Sequence, residues 1–366
     1  MAAASRSVWS HALDVVKLAT TPLAPSDFLE LVAPLQARHS LRARIESVRE
    51  ETADARTLTL RPARGWSGHR AGQFAPLGVT IEGRILRRTY SISSAPERRD
   101  GCITVTVKAV PGGRVSTFLT REAKPGDYVT LGPAQGEFVV DEARDERRLF
   151  LTAGSGVTPV ASIVRALAER GRLGDAIHVH YAPRATEAIF GAELQALAAR
   201  HPGYRYVLVS TREGTARNRF TREALDAAAS DWRARSAWAC GPRALLDEVE
   251  SCFAAAGRST ALNVERFQAK LAPSELGASE ASGGRVRFGR SKRDVEADGR
   301  TPLLRVAEGA GVNAPHGCRM GICHSCDATM VSGCVRDLRT GKRIEEPGSR
   351  IQVCVCAAAG DVEIAL

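Results

Sequence analysis

From Leu41 onward the chain alternates apolar and polar residues. Segments 42–50, 57–61, 74–82, 84–93 and 103–110 read as strands divided by turns that carry Gly or Asp. Six or so short strands within about a hundred residues predict a small antiparallel barrel. A short helix over 115–123 interrupts the alternation before Pro125-Gly126-Asp127. After Asp145 the rhythm changes. Apolar strands over 148–152, 176–181, 204–210 and 236–240 alternate with helical patterns over 159–170, 190–199, 221–229 and 242–256. Strands alternating with helices of this length predict a parallel sheet covered on both faces. The small, polar stretch 266–284 reads as a linker. At the other end, 1–40 shows helical spacing in Val8, Trp9, Ala12, Leu13 and Val16 and again in Phe28, Leu29, Leu31 and Val32, divided by Pro22 and Pro25. Such a stripe packs on its own domain more often than it anchors in a membrane. The expected organisation is an extension (1–40), a barrel (41–142), an α/β domain (143–265), a linker (266–284) and a final domain (285–366).

Length agrees with this division, because 366 residues exceed one ordinary core. No apolar stretch is long enough to span a bilayer, and residues 1–6 lack the apolar core of a secretory signal. The net charge of +10 raises the question of nucleic acid. No basic run is interleaved with aromatics, and only 5% of residues are aromatic, so a nucleic-acid partner is set aside. A basic surface suits anionic lipid or an acidic partner better, and peripheral contact at the inner face of a membrane is one expectation. Reduced cysteines point to the cytoplasm, and a monomer is expected.

Nine cysteines, an odd number in a chain without a signal, argue against a disulfide framework. Four of them stand out. Cys318, Cys323 and Cys326 are spaced C-x4-C-x2-C, and Cys354 follows after a long gap. That is the plant-type spacing of a [2Fe–2S] cluster, in which four thiolates hold two irons. The glycines of Gly317–Cys326 let backbone pass close to the sulfides, and the fourth ligand comes from the separate strand around Ile351-Gln352-Val353. Structural zinc usually takes paired knuckles, which this spacing does not provide. Cys356, two residues past Cys354, and Cys334 compete for the fourth place; with Cys102, Cys240 and Cys252 they otherwise read as small core or surface thiols.

A one-electron carrier needs an electron source. Arg88-Thr89-Tyr90-Ser91 lies in a barrel strand with Arg88 and Tyr90 on one face. It offers a guanidinium for phosphate, a ring to stack on a flavin and a hydroxyl near the reactive nitrogen. An exposed cross-strand pair would explain the same residues. Gly112-Gly113-Arg114-Val115-Ser116-Thr117 opens a helix as an anion site for a pyrophosphate. Gly154-Ser155-Gly156-Val157-Thr158-Pro159 follows an apolar strand and opens the next helix, a dinucleotide loop lacking its third glycine. Arg212 and Arg219, beyond the third strand of the sheet, suit a 2′-phosphate and hence NADPH over NADH, or are solvated arginines at a strand end. Cys240-Gly241-Pro242 closes the fourth strand at the edge where ligands bind.

Taken in order, Arg88–Ser91, Gly113–Thr117, Gly154–Pro159 and Cys240–Pro242 resemble the motifs of the ferredoxin–NADP reductase superfamily, and the tail resembles a plant-type ferredoxin. The domain order is similar to that of the reductase components of bacterial oxygenases. Thr21-Pro22-Leu23 and Asp27-Phe28 resemble the electron-transfer partners of membrane-bound acyl-CoA desaturases. The resemblance implies a β-grasp final domain and FAD rather than FMN. It places the flavin at Arg88, Thr89, Tyr90 and Ser91, with Tyr90 and Ser91 at the reacting ring, and the pyrophosphate at Gly113, Val115, Ser116 and Thr117. Pyridine nucleotide falls to Gly154, Gly156, Thr158, Pro159, Arg212, Arg219, Cys240, Gly241 and Pro242. Ferredoxin-like modules place their last ligand before a Val-x-Ala step, which favours Cys354. The superfamily's flavin-covering terminal aromatic is not expected, because another domain follows. Electrons would run from NADPH through FAD and the cluster to a membrane desaturase or related di-iron enzyme; a soluble Rieske-type or ring-hydroxylating oxygenase and a redox-sensing module without turnover are the alternatives. The segment from Arg285 carries 13 Lys or Arg against 10 Asp or Glu, unlike an acidic, diffusing ferredoxin, which favours an attached reductase.

Overall fold

The structure is a computed structural model that describes residues 35, 41–141, 147–213, 218–267, 283–321 and 324–366. The expected extension over 1–40, apart from residue 35, most of the expected linker and Cys323 lie outside the described residues.

Strands β1 (Arg42–Thr52), β2 (Ala55–Pro62), β3 (Phe74–Ile81), β4 (Arg84–Ser91), β5 (Ile103–Lys108) and β6 (Tyr128–Leu131) form an antiparallel sheet in the order β4-β3-β6-β1-β2-β5. A bridge between Ile92 and Val105, with the Ser93 amide donating to the Thr104 carbonyl at 2.8 Å, joins its two ends into a barrel. The period-two pattern turns Ala43, Ile45, Leu58, Leu60, Val105 and Val107 inward, all at most 2% exposed. Helix α1 (Arg114–Arg121) plugs the barrel with Val115 and Leu119. The four-residue β6 was too short to announce itself by alternation.

Strands β7 (Arg148–Ala153), β8 (Ala176–Ala182), β9 (Tyr204–Ser210), β10 (Ser236–Cys240) and β11 (Leu262–Glu265) make a parallel sheet in the order β11-β10-β7-β8-β9. Helices α2 (Val157–Glu169), α3 (Gly191–Arg200), α4 (Arg222–Ala228) and α5 (Arg243–Ala255) cover it. Two separate cores, one around Val160, Ile163 and Leu194 and one around Trp232, Leu246 and Phe253, show that both faces are packed. Every residue of β8 is buried, as a central parallel strand requires. Helix α2 starts at Val157, earlier than the expected 159, so Pro159 falls inside its first turn, where a missing N–H costs nothing. This sheet docks on the barrel through α2: Ser162 Oγ donates to the Ser94 carbonyl at 2.6 Å and Arg165 donates to that of Ser93.

The last unit comprises β12 (Gly284–Phe288), β13 (Arg293–Ala297), helix α6 (Leu303–Gly309), β14 (Asp327–Asp337), β15 (Arg343–Ile344), β16 (Arg350–Gln352) and β17 (Cys356–Ile364). The first and last strands, β12 and β17, pair in parallel at the centre, with β13 and β14 antiparallel outside them and α6 packed on the sheet. This is the expected β-grasp arrangement. Cys354 stands in the turn between β16 and β17, two residues past the end of the strand expected to carry it. Among the described residues, no helix is long and apolar enough to cross a membrane.

Candidate redox site

A cavity of about 590 Å³ opens where the three units meet. The barrel contributes Arg88, Thr89, Tyr90, Ser91, Gly113, Val115 and Ser116; the parallel-sheet unit contributes Ser155, Thr158 and Phe267; the β-grasp unit contributes Leu304, Arg305, Cys318, Arg319, Met320 and Cys354. Strand β4 ends the barrel sheet in strand order, and all four residues of Arg88–Ser91 reach the cavity.

Burial, and then the nearby Arg319, push the Arg88 guanidinium below its usual range, and burial pushes the Tyr90 phenol well above its own. Arg88 stays charged and Tyr90 neutral at any physiological pH. Gly113 caps α1; a Cβ there would come within 2.4 Å of Ser116 Oγ and 3.0 Å of the Val110 carbonyl oxygen. Ser116 Oγ ties the turn by donating to the Gly113 carbonyl and accepting from the Val110 amide, both at 3.2 Å. The first turn of α1 therefore faces the cavity with free amides and no acidic side chain, a donor set that fits a phosphate. Thr117 is exposed and does not line the cavity.

The dinucleotide loop lies on the other wall. Gly154 adopts φ +53°, and Gly154–Gly156 form a single 3-10 turn into α2. Thr158 Oγ1 donates to the Ser155 carbonyl at 2.9 Å, which locks the turn. Gly156 touches the end of β10: a Cβ would lie 2.1 Å from the Cys240 carbonyl oxygen and 2.6 Å from the Gly241 amide. The structure thus brings Gly154, Gly156, Thr158 and Pro159 together with Cys240, Gly241 and Pro242 at one sheet edge. Cys240 is fully buried, and burial and then Glu265 push its thiol up. Arg212 and Arg219 are exposed and stand outside the cavity, past the end of β9; the Arg212 amide donates to the Pro183 carbonyl at 2.9 Å.

In the cysteine loop, Arg319 and Gly321 take φ values of +60° and +71°, and His324 takes +54°. Left-handed residues in such a run turn backbone N–H groups toward one centre, as iron–sulfur loops need. The Met320 amide donates to Cys318 Sγ at 3.3 Å. Cys326 Sγ and Cys354 Sγ approach to 3.2 Å, both buried. A two-iron cluster divides its four thiolates between the irons, and a close pair of thiols suits one of them. Cys356 begins β17 opposite Asp337 and packs in the core, away from the cavity. Arg339 pins the loop by donating to the Gly321 carbonyl at 3.0 Å and to Asp337 at 2.7 Å.

Two residues of this region escape sequence reasoning. Phe267, 39% exposed, lines the cavity just past β11. Phe267 is not a chain-terminal aromatic, which the following domain had ruled out; it reaches the cavity from the last described residues of the parallel-sheet unit. Glu265 pairs in register with Cys240, and burial raises its carboxyl to about 7. A Glu-x-Phe step after a short strand was the only available signal.

Family comparison agrees with the three units. The profile described as an oxidoreductase FAD-binding domain matches residues 42–140, the oxidoreductase NAD-binding domain 150–251, and the 2Fe-2S iron-sulfur cluster binding domain 287–359. The chain belongs to the ferredoxin–NADP reductase-type flavin oxidoreductases that carry a [2Fe–2S] domain, and it is an NAD(P)H-dependent FAD/[2Fe–2S] oxidoreductase. An NADPH oxidoreductase of Mycobacterium tuberculosis is 46% identical over 99% of this chain and 94% of its own length. An NADH oxidoreductase of Escherichia coli is 31% identical over 88% and 97%. Phthalate dioxygenase reductase, described as a modular structure for electron transfer from pyridine nucleotides to [2Fe–2S], superposes with a TM-score of 0.62 at 26% identity, covering 91% of this chain and 99% of that one.

Proposed function

We propose that the chain takes electrons from NADPH and delivers them, by way of FAD in the cavity and a cluster on Cys318, Cys323, Cys326 and Cys354, to a separate oxygenase-type protein. The observation that carries this reading is that Cys318 and Cys354 line the same cavity as Arg88, Tyr90 and Ser91. When bound, the flavin accepts a hydride and releases electrons singly, and the cluster carries one at a time. The chain's own residues bind and orient. Arg88 and the first turn of α1 would hold phosphate, Tyr90 and Phe267 would exclude water from the ring, and Ser91 would offer a hydroxyl to it. The Gly154–Thr158 turn and Cys240 would seat the nicotinamide nucleotide, with Glu265 holding or releasing a proton near neutrality. NADPH over NADH is supported by Arg212 and Arg219 and by the name of the M. tuberculosis relative; the E. coli relative's name points the other way.

An oxygenase acceptor is supported by the likeness to phthalate dioxygenase reductase. A second reading, a membrane fatty-acyl desaturase or related di-iron enzyme, is favoured by Thr21-Pro22-Leu23, Asp27-Phe28 and the net charge of +10. Reconstitution with separated membrane and soluble fractions tests both. NADPH oxidation that requires the membrane fraction and a fatty acyl-CoA would select the desaturase; oxidation that requires a soluble oxygenase and its substrate would select the first reading. Faster turnover with NADH in either arm would overturn the nucleotide assignment.

A further inference from the structure

The cavity carries more positive charge than the barrel alone accounts for. Five of its lining side chains are Lys or Arg, and none is Asp or Glu. Three of the five are neutralised by carboxylates that do not line it: Lys108 by Asp54 at 2.9 Å, Arg114 by Glu82 at 2.6 Å and Arg319 by Glu308 at 3.1 Å. The other two are Arg88 and Arg305. Arg88 donates to the Arg87 carbonyl at 2.7 Å and has no carboxylate partner among the described residues. Arg305, on α6, is an exposed side chain that lines the cavity and has no side-chain partner among the described residues. One of these guanidiniums belongs to the barrel and the other to the β-grasp unit. An anion seated in the cavity would meet both of these guanidiniums without a carboxylate competing for either.

We propose that the β-grasp unit completes the flavin site: Arg305 is a second ligand for the flavin phosphate, reaching across the cavity toward Arg88 and the first turn of α1. The proposal rests on the reading that flavin occupies this cavity. Arg319, held by Glu308 at 3.1 Å and His316 at 3.0 Å, sets a second guanidinium of the β-grasp unit on the same cavity. The phosphate would then bridge the barrel to the unit that holds the cysteines. Flavin binding and docking of the two units would be linked, each favouring the other by the same factor.

The test compares the wild-type chain with Arg305→Gln and Arg305→Lys. Each is stripped of flavin, shown by visible circular dichroism to keep its cluster, and titrated with riboflavin, FMN and FAD by fluorescence quenching. Arg305→Gln should weaken FMN and FAD roughly tenfold, the equivalent of about 1.4 kcal/mol, and leave riboflavin, which has no phosphate, within about twofold. Arg305→Lys, which keeps the charge, should recover part of the loss. Unchanged FMN and FAD affinity in Arg305→Gln would overturn the proposal, as would an equal loss for riboflavin, since that marks a packing change. Weaker NADPH binding with unchanged FMN would assign Arg305 to the nucleotide phosphate and overturn it too. A wild-type chain that takes up no flavin would remove the underlying reading, an outcome distinct from these.

Discussion

Gly154 and Gly156 lie two residues apart in one turn, yet their reasons for being glycine differ. Gly154 has a left-handed φ and open space around its Cα, so a side chain there meets only backbone strain. Gly156 has no such φ, but its Cβ would be driven to 2.1 Å from the Cys240 carbonyl oxygen, against backbone that cannot rotate away. Gly154→Ala should therefore cost about 1–2 kcal/mol, the strain of one left-handed residue. Gly156→Ala should push the dinucleotide loop off β10, an overpacking effect of about 1–3 kcal/mol. The measurement that separates them is the KM for NADPH beside the urea midpoint. Gly156→Ala should raise KM severalfold as well as lower stability, whereas equal KM values in the two variants would show that contact with Cys240 does not shape the nucleotide site.

At the scale of elements, strand β8 shows what pattern reading catches and what it misses. Its run Ala176–Ala182 is legible as a buried parallel strand, and the structure buries all of it. What periodicity cannot show is how His178 and His180 survive at 0% exposure. Their partners come from neighbouring strands: Thr152 Oγ1 on β7 bonds both His178 Nε2 and His180 Nδ1 at 2.7 Å, and His178 Nδ1 meets the Tyr204 hydroxyl on β9 at 2.9 Å. The same limit hid Phe267 and Glu265, whose roles depend on where β11 leads, and the four-residue strands β6 and β11. The cysteine spacing and the Arg88–Ser91 motif were legible because their chemistry is local. Burial holds both imidazoles neutral, with His180 pushed down to about 4. A folded value below the unfolded one means that the unfolded chain binds more protons. The stability this network contributes is present above about pH 6.5 and is lost as pH falls through about 4. His180→Gln should flatten that slope, leaving the part due to His178, in urea unfolding measured from pH 7 to 4. The cysteine loop yields a second test. Serine at Cys318, Cys323, Cys326 or Cys354 should abolish the visible spectrum of the cluster, while Cys334→Ser and Cys356→Ser keep it; the reverse result at Cys354 and Cys356 would move the fourth ligand to β17.

The whole molecule sets the kinetic order of electron flow. The cavity residues come from three units of one polypeptide, and Cys318 and Cys354 share it with Tyr90 and Ser91. No second copy is needed to bring the cysteines to Tyr90 and Ser91, so reduction of the cluster after NADPH is added should be first order. In stopped-flow mixing, its rate constant should not change when protein concentration is raised tenfold. The step beyond the cluster is different, since the proposed acceptor is a separate molecule that would have to find a chain of net charge +10. Attraction between exposed charges is screened over about 8 Å at physiological ionic strength, so association with an acidic partner or an anionic surface weakens as salt rises. Raising ionic strength should therefore slow acceptor-coupled NADPH oxidation and leave the internal rate of cluster reduction nearly constant. A cluster-reduction rate that climbs with protein concentration would show that electrons cross between chains, and the shared cavity would then not be the route.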